Sequence, residues 1–200
     1  MKTIDVIFDF ASLNAYLAQR ALPGVAERTG ASVNLIPCLL GGIFKATGNQ
    51  APFTAFNGIK GKLDYEMLEI RRFVQTHRLT EFQMNPHFPV NSLMAMRGLC
   101  ACAPGDEFDR YVEAVLAGFW ERGLLMSDPA VLASVLVEAG LDAERLWTLA
   151  QTDAVKSKLA DNTAAAVERG AFGAPTFFVG DEMFFGKERL GQIEALLAAM

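Results

Sequence analysis

Thr3-Ile4-Asp5-Val6-Ile7-Phe8-Asp9-Phe10-Ala11-Ser12 opens the chain, and the reading of this stretch decides the fold. Its β-branched and aromatic residues from Thr3 to Phe10 predict a strand. Leu17 to Arg28 follows with helical apolar spacing, interrupted at Pro23-Gly24, and Ser32 to Leu39 returns to a strand pattern. This β-α-β opening predicts a central sheet flanked by helices, with a right-handed crossover making the two strands parallel. Ser12 then falls where a strand end feeds a helix. Oriented N–H groups and the helix dipole stabilise an anion at such a junction, for example a thiolate or carboxylate. Leu13, Asn14 and Ala15 come next, so no Cys-x-x-Cys pair is available for disulfide chemistry there. Sulfur chemistry at Ser12 requires sulfur from another molecule.

From Leu40 the texture changes to a Gly-punctuated segment, Gly41-Gly42-Ile43-Phe44-Lys45-Ala46-Thr47-Gly48-Asn49-Gln50, after which only helical patterns appear for about a hundred residues. Lys62 lies just before a helix predicted over Leu63 to His77. Asn91-Ser92 is predicted to cap a helix through Cys102, and Asp106 another through Arg122, closed by Gly123. Asp128-Pro129 starts a third, ending at Gly140, then Asp142 caps the next and Thr152 or Asp153 opens a long one ending near Gly170. After Gly173-Ala174-Pro175 the strand pattern resumes as Thr176-Phe177-Phe178-Val179, turns at Gly180-Asp181-Glu182, and returns as Met183-Phe184-Phe185. Lys187 to Met200 closes as an apolar-faced helix. The order β-α-β, helices, β-β-α is that of an α/β thioredoxin-like fold with a large all-helical insertion after the second strand. The expected division is a first thioredoxin-like part over 1–42, the helical insertion over 43–165 and a second thioredoxin-like part over 166–200.

Composition narrows the function. The 200 residues carry a net charge of −5 with no long Lys/Arg run, which argues against a nucleic-acid surface, where clustered cations displace counterions. Small molecules are the expected partners. The apolar start is broken by Asp5 and Asp9 and reads as neither a signal peptide nor a membrane span. Cys38, Cys100 and Cys102 form an odd set without metal-site spacing, which suits a reducing cytoplasm, and no metal is expected. Cys100 and Cys102 read as buried small hydrophobes. His77 sits near a helix end, where a cation suits the dipole, and His87 lies in a Pro-flanked loop, so the two histidines do not form a site. Met94, Met96, Phe44, Trp120 and Met126 read mainly as core, with an aromatic substrate pocket as the alternative.

Pro175 just before a strand is either a cis turn or an edge-strand start, because it cannot donate to the ladder. A cis bond would expose the backbone of Ala174, whose N–H and C=O could pair with an extended peptide. Glutathione is such a peptide. In that arrangement Ala174 grips the cysteinyl backbone, Ser12 donates a hydrogen bond to the sulfur, and the helix starting at Leu13 favours the thiolate. Ser12 has an equally physical simpler role as an N-cap, worth about 1 kcal/mol.

The chain resembles the 2-hydroxychromene-2-carboxylate isomerases of the kappa-class glutathione transferase group over nearly its whole length. The motifs are Phe8-Asp9-Phe10-Ala11-Ser12, Gly42 to Asn49, Lys62-x-x-Tyr65, Phe88-Pro89-Val90-Asn91-Ser92, Gly170 to Thr176 and Phe185-Gly186-Lys187-Glu188-Arg189-Leu190. The resemblance implies that Ser12 lies next to the glutathione sulfur, and that Asn49 and Lys62 hold the glycyl end and the peptide. It implies that Ala174 and a cis-Pro175 clamp the backbone and that Glu188 and Arg189 approach the γ-glutamyl group. Taken singly, Asn49 also fits a left-handed turn after Gly48, Lys62 a solvated helix charge, and Arg189 a surface partner for a carboxylate. The sequence departs from the pattern at Leu13-Asn14, where the family often has Pro-Tyr, at Glu69 and Glu188, where it has aspartate, and at Phe185, a frequent tryptophan.

The implied activity is a glutathione-dependent isomerisation of a chromene-type or related aromatic 2-oxo acid. Transient addition of a thiolate to the conjugated double bond permits rotation before elimination, and Lys45 or Asn49 supplies a polarising charge or hydrogen bond. A homodimer is implied by the resemblance. Two alternatives stand beside it. One is a kappa-class transferase or peroxidase using the same cofactor site; the other is a non-catalytic thioredoxin-like module that clamps extended peptides at Ala174-Pro175. A generic clamp has no need of Asn49, Lys62 and Glu188-Arg189 together.

Overall fold

In the computed structural model, which describes residues 2–200, two halves of one sheet are separated in sequence by a run of helices. β1 (Thr3–Phe8), α1 (Leu13–Thr29) and β2 (Ser32–Pro37) form the opening β-α-β unit. There follow α2 (Leu40–Thr47), α3 (Pro52–Ala55), α4 (Lys62–His77), α5 (Leu93–Ala101), α6 (Asp106–Trp120), α7 (Pro129–Glu138), α8 (Ala143–Ala150) and α9 (Asp153–Glu168). β3 (Thr176–Val179), β4 (Glu182–Phe185), a 3₁₀ turn at Lys187–Arg189 and α10 (Leu190–Ala199) close the chain. The sheet order is β2-β1-β3-β4, with β1–β2 parallel and the other pairs antiparallel. This is the thioredoxin-like arrangement, with the helical segment inserted after β2. No helix among the described residues is long and apolar enough to cross a membrane.

Three buried clusters pack around the sheet, the smallest of them joining Ile7, Cys38, Ile43, Ala166, Ala171 and Phe178. Ile4, Val6, Leu22, Val25, Phe177, Ile193 and Leu197 pack together on one side. Phe8, Phe10, Leu13, Tyr16 and Leu17 instead join the core of the helical unit with Leu99, Tyr111, Phe119 and Trp120. That second core explains why the strand predicted to reach Phe10 stops at Phe8. Phe10 turns away from the ladder to stack on Phe119, ring centroids 6.1 Å apart, and its carbonyl accepts a 2.8 Å hydrogen bond from Trp120 Nε1. Likewise β2 ends at Pro37 instead of Leu39, because Leu39 N–H donates to Thr163 Oγ1 at 2.9 Å.

The other local departures have equally specific causes. α1 runs through Pro23-Gly24, since Leu22 and Val25 are buried against α10 and tertiary packing outweighs the roughly 3 kcal/mol cost of an interior proline. Asp106 is the first residue of α6, not its cap; Gly105 occupies the cap position at φ +93°. The helix ends at Trp120, two residues before the predicted Arg122. The Asp128, Asp142 and Thr152 caps form as the sequence suggests, accepting from Ala130, Arg145 and Val155 N–H. Ser92 precedes α5 but makes no side-chain cap; Asn91 Oδ1 accepts from Leu93 N–H instead.

Candidate functional site

The loops at the C-terminal ends of β1 and β2 converge with the turn before β3, and one buried carboxyl fastens them. Asp9, 1 % exposed, accepts from Ala11 N–H at 2.9 Å through Oδ1 and from Leu40 N–H at 2.7 Å through Oδ2. Its backbone carbonyl accepts from Ser12 N–H at 3.0 Å. Burial pushes the Asp9 carboxyl above its ordinary range, against hydrogen bonds from Ser92, Leu40 and Ala11 that favour the ionised form. Sequence reasoning missed this residue. The available signal was an aspartate enclosed by Phe8 and Phe10 just past the end of β1.

Ser12 is held on both sides of its oxygen. As the N-cap of α1 it accepts from Ala15 N–H at 3.2 Å, and its hydroxyl donates to Ala174 O at 2.7 Å. The Ala174-Pro175 bond is cis. Pro175 O accepts from Gly186 N–H at 3.0 Å, which ties the turn to the start of the last helical segment. A hydroxyl has one donor and two acceptor positions, so the capping bond uses a lone pair and leaves the proton to be directed elsewhere.

Asn49 is brought to the same place from the end of α2. The left-handed residue there is Gly48, at φ +71°, so Asn49 has no need to adopt that conformation. It instead bridges two segments: Nδ2 donates to Phe172 O at 2.7 Å and Oδ1 accepts from Gln50 N–H at 2.8 Å. Ser12, Asn49 and Ala174 all line one cavity of about 280 Å³. Phe44, Phe53, Phe56, Phe88, Phe172 and Phe185 supply its aromatic walls. Of these, the sequence singles out only Phe44 as a pocket candidate; Phe53 and Phe56 sit on α3 and at its end, and Phe88, Phe172 and Phe185 come from segments too far apart in the chain for spacing to associate them.

The charged candidates are distributed differently. Lys62, at the start of α4, does not line the cavity but pairs at 3.0 Å with Glu66, which does, and its Nζ lies 4.6 Å from the centroid of the Phe56 ring. Lys45 is exposed on α2 and outside the lining. Glu188 and Arg189 are exposed beyond β4. Glu188 pairs with the buried Lys187 Nζ and borders a separate groove with Arg28 and His77. The structure therefore gathers Ser12, Ala174 and Asn49, keeps Lys62 adjacent, and leaves Lys45, Glu188 and Arg189 away from the cavity. The three cysteines are buried and free, and burial pushes the Cys38 thiol up to about 12, so none is a reactive thiolate for this site.

The sheet order and the cis turn facing a helix N-terminus define a thioredoxin-like protein, and a family model described as a DSBA-like thioredoxin domain matches residues 3–198. A 2-hydroxychromene-2-carboxylate isomerase of Sphingobium xenophagum is 31 % identical over 199 residues, 98 % of each chain. A solved 2-hydroxychromene-2-carboxylate isomerase superposes with a TM-score of 0.85 at 27 % identity, covering 98 % of this chain and 95 % of that one. Glutathione S-transferase kappa 1 of Rattus norvegicus is 26 % identical over 98 % of this chain and 91 % of its own. The chain belongs to the DSBA-like thioredoxin domain family and, within it, to the family of the 2-hydroxychromene-2-carboxylate isomerases.

Proposed function

We infer that the chain is a glutathione-dependent isomerase of 2-hydroxychromene-2-carboxylate or a related aromatic 2-oxo acid. The observation that carries this reading is the junction of Ser12 and Ala174 in a cavity walled by phenylalanines. An extended peptide fits the Ala174 backbone, and an aromatic substrate fits the rest. The names of the relatives agree with both halves: isomerases of an aromatic carboxylate and a glutathione transferase.

The residues present suit glutathione at its sulfur end. Ala174 C=O now accepts from Ser12; a cysteinyl N–H takes that acceptor, and the released Ser12 proton turns to the sulfur while its capping bond from Ala15 N–H stays intact. The first turn of α1 adds the positive end of its dipole, which favours a thiolate over a thiol. Asn49 holds the Phe172 carbonyl and thereby the strap beside Ala174. Lys62 is the cation adjacent to the cavity for a cofactor carboxylate, after exchange of its Glu66 partner. Glutathione supplies a thiolate whose reversible addition makes a conjugated double bond rotatable. The protein's part is to hold the sulfur, keep the substrate ring between phenylalanines and exclude water. A kappa-class transferase or peroxidase activity is the second reading, supported by the rat relative.

An absorbance assay of isomerisation with and without glutathione, using wild type and Ser12→Ala, tests the proposal. The expected result is turnover that requires glutathione and falls about a hundredfold in the variant, as for removal of a donor to a developing or resident anion. Glutathione-independent turnover, or full activity of Ser12→Ala, overturns it. Saturable glutathione binding with conjugation of an electrophilic aromatic halide and no isomerisation selects the transferase reading.

A further inference from the structure

β2 is an edge strand, bonded to β1 on one side and to no strand on the other. Ser32 N–H donates to Lys2 O and Cys38 N–H to Phe8 O, each at 2.9 Å. A parallel ladder uses alternate residues of a strand, so Ser32, Asn34, Ile36 and Cys38 face β1 while Val33, Leu35 and Pro37 turn their backbone groups outward. Pro37 O accepts from Asn162 Nδ2 at 3.0 Å. The N–H and C=O groups of Val33 and Leu35 have no partner among the described residues. Folded proteins guard such an edge with a charge, an internal proline, a bulge or a covering segment. Ser32-Val33-Asn34-Leu35-Ile36-Pro37 carries no charge, places proline only at its last position and pairs one-to-one with β1 without a bulge. The opposite edge, β4, is shorter and opens on Glu182. β2 is not covered either: Val33 is 37 % exposed, and the edge opens into a groove of about 600 Å³.

α6 lines that groove with two rows at helical spacing, Phe108 with Val112 and Asp109 with Glu113. Glu113 already pairs with Arg20, but Arg110 beside Asp109 pairs with Asp106, and the Asp109 carboxylate has no ion pair among the described residues. Lys158, from α9, donates its ammonium to Cys100 O at 2.9 Å. The charge without a partner in the groove is therefore negative. We propose that the β2 edge and the α6 wall form a docking site for an extended peptide segment bearing an apolar side chain and, two residues away on the same face, a basic one. The segment adds to the four-stranded sheet beside β2: Val33 and Leu35 offer its main chain two donors and two acceptors, and the two rows of α6 sort its side chains. A second copy of the chain pairing through the same edge would bring two acidic walls together in a molecule of net charge −5, whereas a basic segment is attracted. The groove shares no lining residue with the Ser12 cavity, and the proposal does not rest on the reaction assigned there.

The probe is the peptide Ac-Thr-Leu-Thr-Lys-Thr-amide, whose leucine and lysine share one face of an extended chain. Binding to the full chain is followed by amide hydrogen exchange and by anisotropy of a fluorescein-labelled copy at low salt. With about 1 mM peptide, the Val33 and Leu35 amides are expected to exchange about tenfold more slowly, while those of Asn34 and Ile36, already bonded to β1, stay as they were. A peptide with glutamate in place of lysine should bind about tenfold more weakly, and Asp109→Asn should weaken the lysine peptide about threefold. Val33→Pro removes an outward N–H and no ladder bond, and should cut binding at least about tenfold in a variant whose circular dichroism is native. Strand addition uses one edge of the peptide, so of two versions, one N-methylated at leucine and lysine and the other at the central threonine, one keeps binding and the other loses it; this comparison needs no protein variant. Unchanged exchange at Val33 and Leu35, equal binding of the lysine and glutamate peptides, or equal binding of the two methylated peptides overturns the proposal. Slowing at Val33 and Leu35 that grows with protein concentration in the absence of peptide also overturns it and assigns the edge to a second copy.

Discussion

The helical unit contains a larger cavity than the one beside Ser12, about 460 Å³ against about 280 Å³, and the contrast shows that volume does not make a site. Met94, Leu132, Leu136, Leu146 and Trp147 dominate the larger cavity. Its one buried hydroxyl, on Tyr111, is engaged by Ala95 O at 2.9 Å. No converging set of polar groups orients a ligand there. The smaller cavity joins separate segments of the chain and gathers a helix cap, a backbone carbonyl and three carboxamides, on Asn14, Asn49 and Gln50, against aromatic walls. Apolar space gives affinity without orientation, while placed polar groups give chemistry. Substitutions in the first cavity should therefore act on stability and those in the second on activity.

The largest expected effect tests the first half of that contrast. Leu136 lines the larger cavity and is 4 % exposed; Leu136→Ala should cost about 3 kcal/mol through lost transfer energy and added void. For a chain of this size the melting temperature then falls by about 6–12 °C. The proposed glutathione-dependent turnover, measured well below the transition, should be unchanged. A matching loss of activity in the folded variant would mean that the two cavities are coupled.

Ser12→Ala tests the other half: about a hundredfold in kcat/KM, with only about 1 kcal/mol from the lost cap seen by thermal melting. Asn49→Ala should follow at about tenfold in glutathione affinity by calorimetric titration. It removes the bond to Phe172 O that holds the strap beside Ala174, a contribution on the scale of one hydrogen bond. Equal losses of stability and activity in Ser12→Ala would reduce that residue to its capping role.

The elements of the sheet and most helix caps were legible because they depend on local chemistry: β-branched runs, Asp and Thr at helix starts, Gly180-Asp181 between strands. Pro23 misled, because local propensity says nothing of the buried face that carries α1 through it. The backbone half of the site was legible in Ser12 and in the Ala174-Pro175 turn. The aromatic half was not, since Phe53 comes from α3, Phe88 and Phe172 from two separate loops and Phe185 from the end of β4, and no spacing rule joins them. The second cis bond, Phe88-Pro89, left no more trace in the sequence than the proline itself. The Lys62, Glu188 and Arg189 expectations came from resemblance, and only Lys62 lies beside the cavity.

Asp9 provides the smallest effect and the sharpest test of how the Ser12 loop is held. Its carboxyl accepts two backbone N–H groups from different loops, and Asp9→Asn can satisfy only one with its oxygen while turning an N–H₂ toward the other. The mismatch should cost about 1 kcal/mol. Burial raises the native pKa above 3.8, so between 3.8 and the native value the folded state retains a proton that the unfolded chain has released. The wild-type contribution from this group is thus fully present below pH 3.8 and is lost as pH rises through the native pKa. Asparagine does not titrate. The stability gap between wild type and Asp9→Asn, followed by denaturant titration at several pH values, should be widest at the acid end and narrow as the pH rises. A gap that widens with pH would mean that the hydrogen bonds from Ala11, Leu40 and Ser92 outweigh desolvation, and that Asp9 fastens the loops as a carboxylate.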